Sequence, residues 1–228
     1  MSTVKNIILV HGAWADGSCW WKVIPKLASA GLCVTAVQLP LSSLASDAAA
    51  VKRAIALMDG PVLLVGHSYG GAVITEAGNE PSVAGLVYVA AFVPDAGESL
   101  GSLLGSVPPA PLAVEVKPDA EGYFKLTPKG IADDFAQDLS DVEKKLLLAT
   151  QGPLFGAIFA TPLTTAAWRT KSSWYMLATQ DRAIPPGLQA RMAAKIKAKT
   201  ISVESSHVPM LSQPDMVVAH IIGAATAM

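Results

Sequence analysis

The stretch Val62-Leu63-Leu64-Val65-Gly66-His67-Ser68-Tyr69-Gly70-Gly71 decides how the rest of the chain is read. Four consecutive branched apolar residues predict a strand buried on both faces, as in the middle of a parallel sheet. Gly-His-Ser-Tyr-Gly follows at once, and Ala72 to Ala77 can be helical. Strand, tight turn and helix is the setting in which G-x-S-x-G presents a serine as a nucleophile. A serine hydroxyl attacks only when it is exposed, held at a base and placed beside donors for the oxyanion that forms. A strained turn lifts Ser68 above the sheet edge, Gly66 and Gly70 omit side chains that would collide there, and the helix start aims free N–H groups at the site. The plainer reading is a Gly-rich turn without chemistry. It is opposed by the strand in front, by Gly71 and by the partners found further along.

Outward from this stretch, short apolar runs alternate with amphipathic ones, the pattern of an α/β protein with a parallel sheet. Towards the N-terminus, Asn6 to Val10 is the first expected strand and Cys33 to Gln38 the second. Between them Ser18 to Ala30 reads as one helix ended by Gly31, with Trp21, Ile24, Leu27 and Ala28 inward. Ser46 is the expected cap of a helix carrying Val51, Ile55 and Met58 on one face. Towards the C-terminus come a fourth strand over Gly85 to Ala90, a fifth over Trp174 to Thr179 and a last one over Thr200 to Val203. Helices are expected over Pro185 to Lys199 and Pro214 to Ala225.

From Pro94 to about Lys171 the alternation breaks. The run Ser106-Val107-Pro108-Pro109-Ala110-Pro111 is loop or edge structure. Thr127-Pro128 opens a helix with Ile131, Phe135 and Leu139 on one side. Ser140-Asp141-Val142-Glu143 is a capping box for another, and Thr161-Pro162 starts a third. The expectation is one domain over residues 1–228, with a core of residues 1–94 and 172–228 and a helical lid over residues 95–171.

With 228 residues, 51% hydrophobic and 15% charged, the chain can bury a sizeable core, and its net charge of -1 offers no footprint for nucleic acid or an anionic membrane. Met1-Ser2-Thr3-Val4-Lys5-Asn6 leads into a short apolar strand, read as neither signal peptide nor membrane span. Cys19 and Cys33 have neither metal nor redox spacing, so a reducing, cytoplasmic setting is expected. Cys19 as a rival nucleophile lacks a Gly-framed turn. A monomer or homodimer acting on a small molecule is the expected form.

Ligands of open parallel sheets sit beyond the carboxyl ends of the strands, so a base and an acid for Ser68 are sought there. Asp181, just past the fifth strand, is the preferred acid, and Asp95, in Pro94-Asp95-Ala96-Gly97, is its rival. His207, just past the last strand in Ser205-Ser206-His207-Val208-Pro209, is the candidate base. His11 and His67 stand beside glycines, where they brace loops, and His220 lies in a helix. The order Ser68, Asp181, His207 matches Ser…Asp…His. Oxyanion donors are expected from the N–H groups of Tyr69 and of Ala13 in His11-Gly12-Ala13-Trp14. Trp14, Trp20, Phe92, Phe155, Phe159 and Met210 are candidates for a pocket wall, each with core packing as its alternative.

On these landmarks the chain resembles the α/β-hydrolase superfamily, and within it the compact branch of plant methylesterases, hydroxynitrile lyases and bacterial esterase-like relatives. The resemblance implies a minimal six-stranded parallel sheet and serine ester hydrolysis without metal or cofactor. Lyases of that branch carry a threonine where Gly12 stands and a lysine where Val208 stands. Their absence turns the expectation towards esters, with a lyase-like reaction or a ligand-sensing receptor on the same fold as alternatives.

Overall fold

The computed structural model describes residues 4–228. Met1 to Thr3, the start of the N-terminal reading, lie outside the described residues. The first half of the chain runs β1 (Asn6–Val10), α1 (Ile24–Ser29), β2 (Cys33–Val37), α2 (Leu44–Ala56), β3 (Val62–His67), α3 (Tyr69–Ala77) and β4 (Val83–Val89). Between β4 and the next core strand lie α4 (Leu100–Leu104), β5 (Val116–Pro118), β6 (Tyr123–Leu126), α5 (Pro128–Gly130), α6 (Asp141–Thr150) and β7 (Leu154–Phe155). The chain closes with β8 (Ser172–Ala178), α7 (Pro186–Lys195), β9 (Lys199–Val203), α8 (Pro209–Ser212) and α9 (Pro214–Thr226).

Six strands form one parallel sheet in the order β2-β1-β3-β4-β8-β9. Helices flank it, α1 packing with α9 and α2 with α3. The expected α/β-hydrolase architecture with a six-stranded parallel sheet is therefore present. The central strands earn their place by burial. Ile7 to Val10, Val62 to Val65 and Leu86 to Val89 are fully buried, which contributes on the order of 1.5–3 kcal/mol for each large aliphatic side chain. β2 and β9 hold the two edges and carry mixed exposure.

Several local expectations need correction. The stretch Ser18 to Ala30 is not one helix: a 3₁₀ turn covers Gly17–Trp20 and α1 starts only at Ile24, because Pro25 is tolerated in a first turn and not inside a helix. Trp21 consequently faces solvent, 51% exposed, and Trp20 is buried in its place. Ser43, not Ser46, caps α2, its hydroxyl accepting from Ser46 N at 3.1 Å. The segment between β4 and β8 is not purely helical, since β5, β6 and β7 make a small antiparallel sheet. Pro128 does open a helix, but that helix passes into a π-helical turn over Ile131–Phe135 and stops before Leu139. The Ser140 capping box stands as expected. Thr161-Pro162 starts no helix and is flanked only by 3₁₀ turns at Gly156–Ala160 and Ala167–Arg169.

What matters for the site is how the carboxyl ends of the strands are tied together. Ser68 joins β3 to α3 at φ 53° and ψ -122°, a region that costs a non-glycine residue about 1–3 kcal/mol. Its carbonyl accepts from Gly71 N at 3.0 Å and Phe92 N at 3.1 Å, and its own N–H donates to Val89 O at 3.3 Å. The start of α3 is pressed on the end of β1 so closely that a Cβ at Gly70 would stand 2.5 Å from Val10 O and 2.6 Å from His11 O. His11 accepts from Leu39 N at 3.0 Å through Nε2 and donates to Gly12 O at 2.8 Å through Nδ1, joining the loops after β1 and β2. His67 donates through Nε2 to the carbonyl of His207 at 2.7 Å, joining the ends of β3 and β9.

Gly70→Ala is expected to lower folding stability by about 1–3 kcal/mol, read by urea denaturation, because backbone carbonyls on β1 cannot yield to the added methyl. A pH dependence follows from the buried imidazoles. Burial holds His11, His67 and His220 below the ordinary 6.5, His220 at about 4. As pH falls below 6.5 the unfolded chain binds these protons first, so stability drops, by up to about 1.4 kcal/mol per pH unit for each imidazole. Urea midpoints are expected to fall between pH 7 and pH 5, and His220→Gln to flatten that fall.

Candidate active site

Ser68, Asp181 and His207 come from three separated loops at one sheet edge and meet there. The Asp181 carboxylate only accepts, so the 2.7 Å contact from His207 Nδ1 to Asp181 Oδ2 places the ring proton on Nδ1. Nε2 is left with its lone pair, which accepts from the Ser68 hydroxyl at 2.8 Å. Asp181, His207 and Ser68 are all buried, so the bonds form where water competes little. A buried carboxylate without a cation needs donors on both oxygens. Asp181 Oδ1 accepts from Ala183 N at 2.7 Å and Ile184 N at 2.9 Å, and Oδ2 accepts from Gln189 Nε2 at 2.7 Å besides the imidazole.

Asp95, the rival acid, is engaged elsewhere. It pairs with Arg169, whose guanidinium holds the Asp95 carboxyl below its usual range. Cys19 is buried, and burial pushes its thiol well above the usual range, away from the thiolate a nucleophile requires.

The N–H groups of Ala13 and Tyr69 meet no protein acceptor among the described residues, and both residues line the cavity that Ser68 and His207 also line. Tyr69 is the first residue of α3, where a helix leaves its N–H free. Ala13 precedes Trp14, which takes φ 57° and donates its indole N–H to Phe124 O at 2.9 Å. Gly12 leaves a gap nothing larger could use, since a Cβ there would stand 2.6 Å from Ser68 Cβ.

The cavity measures about 410 Å³. Trp14, Phe92 and Phe159 stand in its wall, with Leu100, Leu104, Val107, Phe124 and Ile184, and no charged side chain among the described residues lines it. Trp20, Phe155 and Met210 do not. Trp20 is fully buried behind the site, its indole edge against the His67 ring. Met210 is fully buried in α8. Phe155 alternates with the inward Leu154 along β7, and so faces Tyr123 on the other side of the small sheet.

Other side chains that bear on the site carried no local signal. Gln189 fixes Asp181 while accepting from Ala178 N at 3.1 Å, and reads in sequence as one polar residue in an amphipathic helix. The π-helical turn and the residues after it grip both loops. Asp138 accepts from Ser206 N at 2.8 Å, Gln137 donates to Gln180 O at 2.7 Å, and Asp134 pairs with Arg182 at 2.7 Å. The Phe135 ring stands edge-on to His207 at 5.0 Å. A π-turn re-aims side chains within a helix, and nothing in the run Ile131-Ala132-Asp133-Asp134-Phe135 announces one. Among the described residues no cluster of His, Cys, Asp and Glu could hold a metal ion, and no helix is long and apolar enough to cross a membrane.

Known proteins carry the same outline. The chain is 29% identical to a probable hydrolase of Phoma sp., over 93% of this chain and 95% of that protein. It is 25% identical to methylesterase 8 of Arabidopsis thaliana, over 97% of this chain and 89% of the relative. In fold it is similar to the crystal structure of a pyrethroid hydrolase from Sphingobium faniae, with a TM-score of 0.85 at 24% identity, covering 99% of this chain and 98% of the other. The sequence profile of the alpha/beta hydrolase family matches residues 7–220, from β1 into α9, and the chain belongs to that family.

Proposed function

We propose that the protein is a serine carboxylic-ester hydrolase acting on small or medium neutral esters. The observation that carries this reading is the hydrogen-bonded series Ser68, His207, Asp181 at the mouth of an uncharged cavity beside two free N–H groups. His207 takes the Ser68 proton as Oγ attacks the ester carbonyl, and Asp181 compensates the imidazolium and holds its tautomer. The N–H groups of Ala13 and Tyr69 receive the oxyanion. His207 returns the proton to the departing alcohol, then activates a water that releases the acid from Ser68. The segment of residues 95–171 acts as a lid, since Leu100, Leu104, Val107, Phe124 and Phe159 from it complete the cavity wall. Among curated relatives, a Nocardioides protein named for carbendazim hydrolysis and the plant methylesterase support ester-like substrates.

Two positions favour ester over cyanohydrin cleavage. Gly12 has no room for the threonine hydroxyl of the lyases, and the position after His207 is the buried, uncharged Val208. The cytoplasmic setting belongs to the same reading and accords with two free cysteines, Cys33 of which is exposed.

Ser68→Ala is expected to reduce p-nitrophenyl ester hydrolysis by at least about 10³-fold. Asp181→Asn is expected to cost about 10⁴-fold in kcat and Asp95→Asn to leave activity near the parent's. Equal rates for Ser68→Ala and the parent would instead leave a ligand-sensing role.

A second expectation concerns the substrate. Moving a bare carboxylate into an uncharged cavity costs several kcal/mol, so kcat/KM for a p-nitrophenyl octanoate is expected to exceed that for a half-ester with a free acid by roughly 100-fold or more. Cyanide release from mandelonitrile is expected to be slower than octanoate cleavage, and the reverse ranking would overturn the ester assignment.

A further inference from the structure

The oxyanion donor after the nucleophile has an unusual anchor. Tyr69 is almost wholly buried, and its hydroxyl donates to Asp47 Oδ2 at 2.6 Å. Asp47 is itself fully buried in the first turn of α2, with no basic side chain among the described residues paired to it, and its Oδ1 accepts from Leu41 N at 2.8 Å. Leu41 is another residue at positive φ, 57°, and its carbonyl accepts from Phe155 N at 2.9 Å in β7. One carboxylate therefore joins the residue beside Ser68 to a strained turn, and through that turn to the small antiparallel sheet.

This matters to the chemistry because Ser68 ψ and the Tyr69 backbone together orient the peptide plane that carries the Tyr69 N–H. A plane next to a strained residue relaxes unless its surroundings over-determine it. The Tyr69 side chain is the lever on that plane. Stability alone does not account for the arrangement. Burial raises the Asp47 carboxyl above its usual range, so the charge is held against a penalty. An apolar pair of the same shape would avoid that penalty, at the cost of the Leu41 N–H losing its acceptor.

We infer that Asp47 is a positioning residue for this reaction: through the Tyr69 hydroxyl it holds the Tyr69 N–H at the place the oxyanion will occupy. The inference rests on the reading of Ser68 as the nucleophile. Asp47 does not line the cavity, so the effect belongs in kcat and not in KM. Asp47→Asn preserves the clamp, its carboxamide oxygen accepting from Leu41 N and its amide donating to the tyrosine oxygen. The pair Asp47→Leu with Tyr69→Phe removes the clamp and leaves one donor, the Leu41 N–H, without its acceptor.

The test uses the full chain and two readouts, ester turnover and the rate at which a fluorophosphonate labels Ser68, whose phosphoryl oxygen needs the same donors. The double variant is expected to melt below the parent by no more than the loss of the Leu41 hydrogen bond accounts for, with kcat and the labelling rate lowered together by about 10- to 100-fold, and KM unchanged. Asp47→Asn is expected to restore both rates to near the parent's. A folded double variant that labels at the parent's rate overturns the inference, as does an Asp47→Asn as impaired as the double variant. Should the double variant not fold, Tyr69→Phe alone decides, and labelling at the parent's rate again overturns it. Labelling without ester turnover in the parent sinks the ester reading only, whereas a parent that does not label at all removes the nucleophile and this inference with it.

Discussion

A carboxylate and an imidazole buried 2.7 Å apart can persist only if the remaining polar atoms of the pair are themselves satisfied, and the loops around them satisfy those atoms. Two backbone amides and Gln189 close the Asp181 shell, and His67 takes the carbonyl of His207. The imidazole is then walled by Phe135 and His67, ring centroids 5.0 Å and 4.8 Å away. With its tautomer fixed from behind, the ring has one free lone pair, and that lone pair meets Ser68. The parallel sheet supplies the rigid edge on which these loops are hung.

Much of this was legible in the residues because the signals are local. A run such as Val62 to Val65 has one comfortable environment, and a serine framed by Gly66 and Gly70 at its end has few roles. Asp181 and His207 follow their strands directly, so placing the strands places both side chains. Elsewhere the structure departs from the local pattern. Pro25, itself a local signal, delays α1 against the apolar spacing around it, and a periodicity of Ile131, Phe135 and Leu139 that fits an α-helix is interrupted by a π-turn. The antiparallel sheet of β5, β6 and β7 is built from strands of two to four residues, too short for alternation to register.

The wall residues divide for the same reason. Trp14, Phe92 and Phe159 reach the cavity, whereas Trp20, Phe155 and Met210 are turned from it by register and packing that no spacing rule contains. Aromatic character identifies a side chain able to line a pocket. Only the fold decides which face of the backbone it leaves from. Asp47 shows the limit most plainly, since an acidic residue in the first turn of α2 is an ordinary helix feature until its partner across the core is seen.

The cavity wall is drawn largely from the segment between β4 and β8, while the groups proposed to react are carried on the sheet edge. On that proposal, selectivity and reactivity rest on different lengths of polypeptide. A library confined to Leu100, Leu104 and Val107 would reshape the cavity while leaving Ser68, His207 and Asp181 and their hydrogen bonds undisturbed, so the scaffold is well disposed to acquire new ligands by drift or by directed evolution.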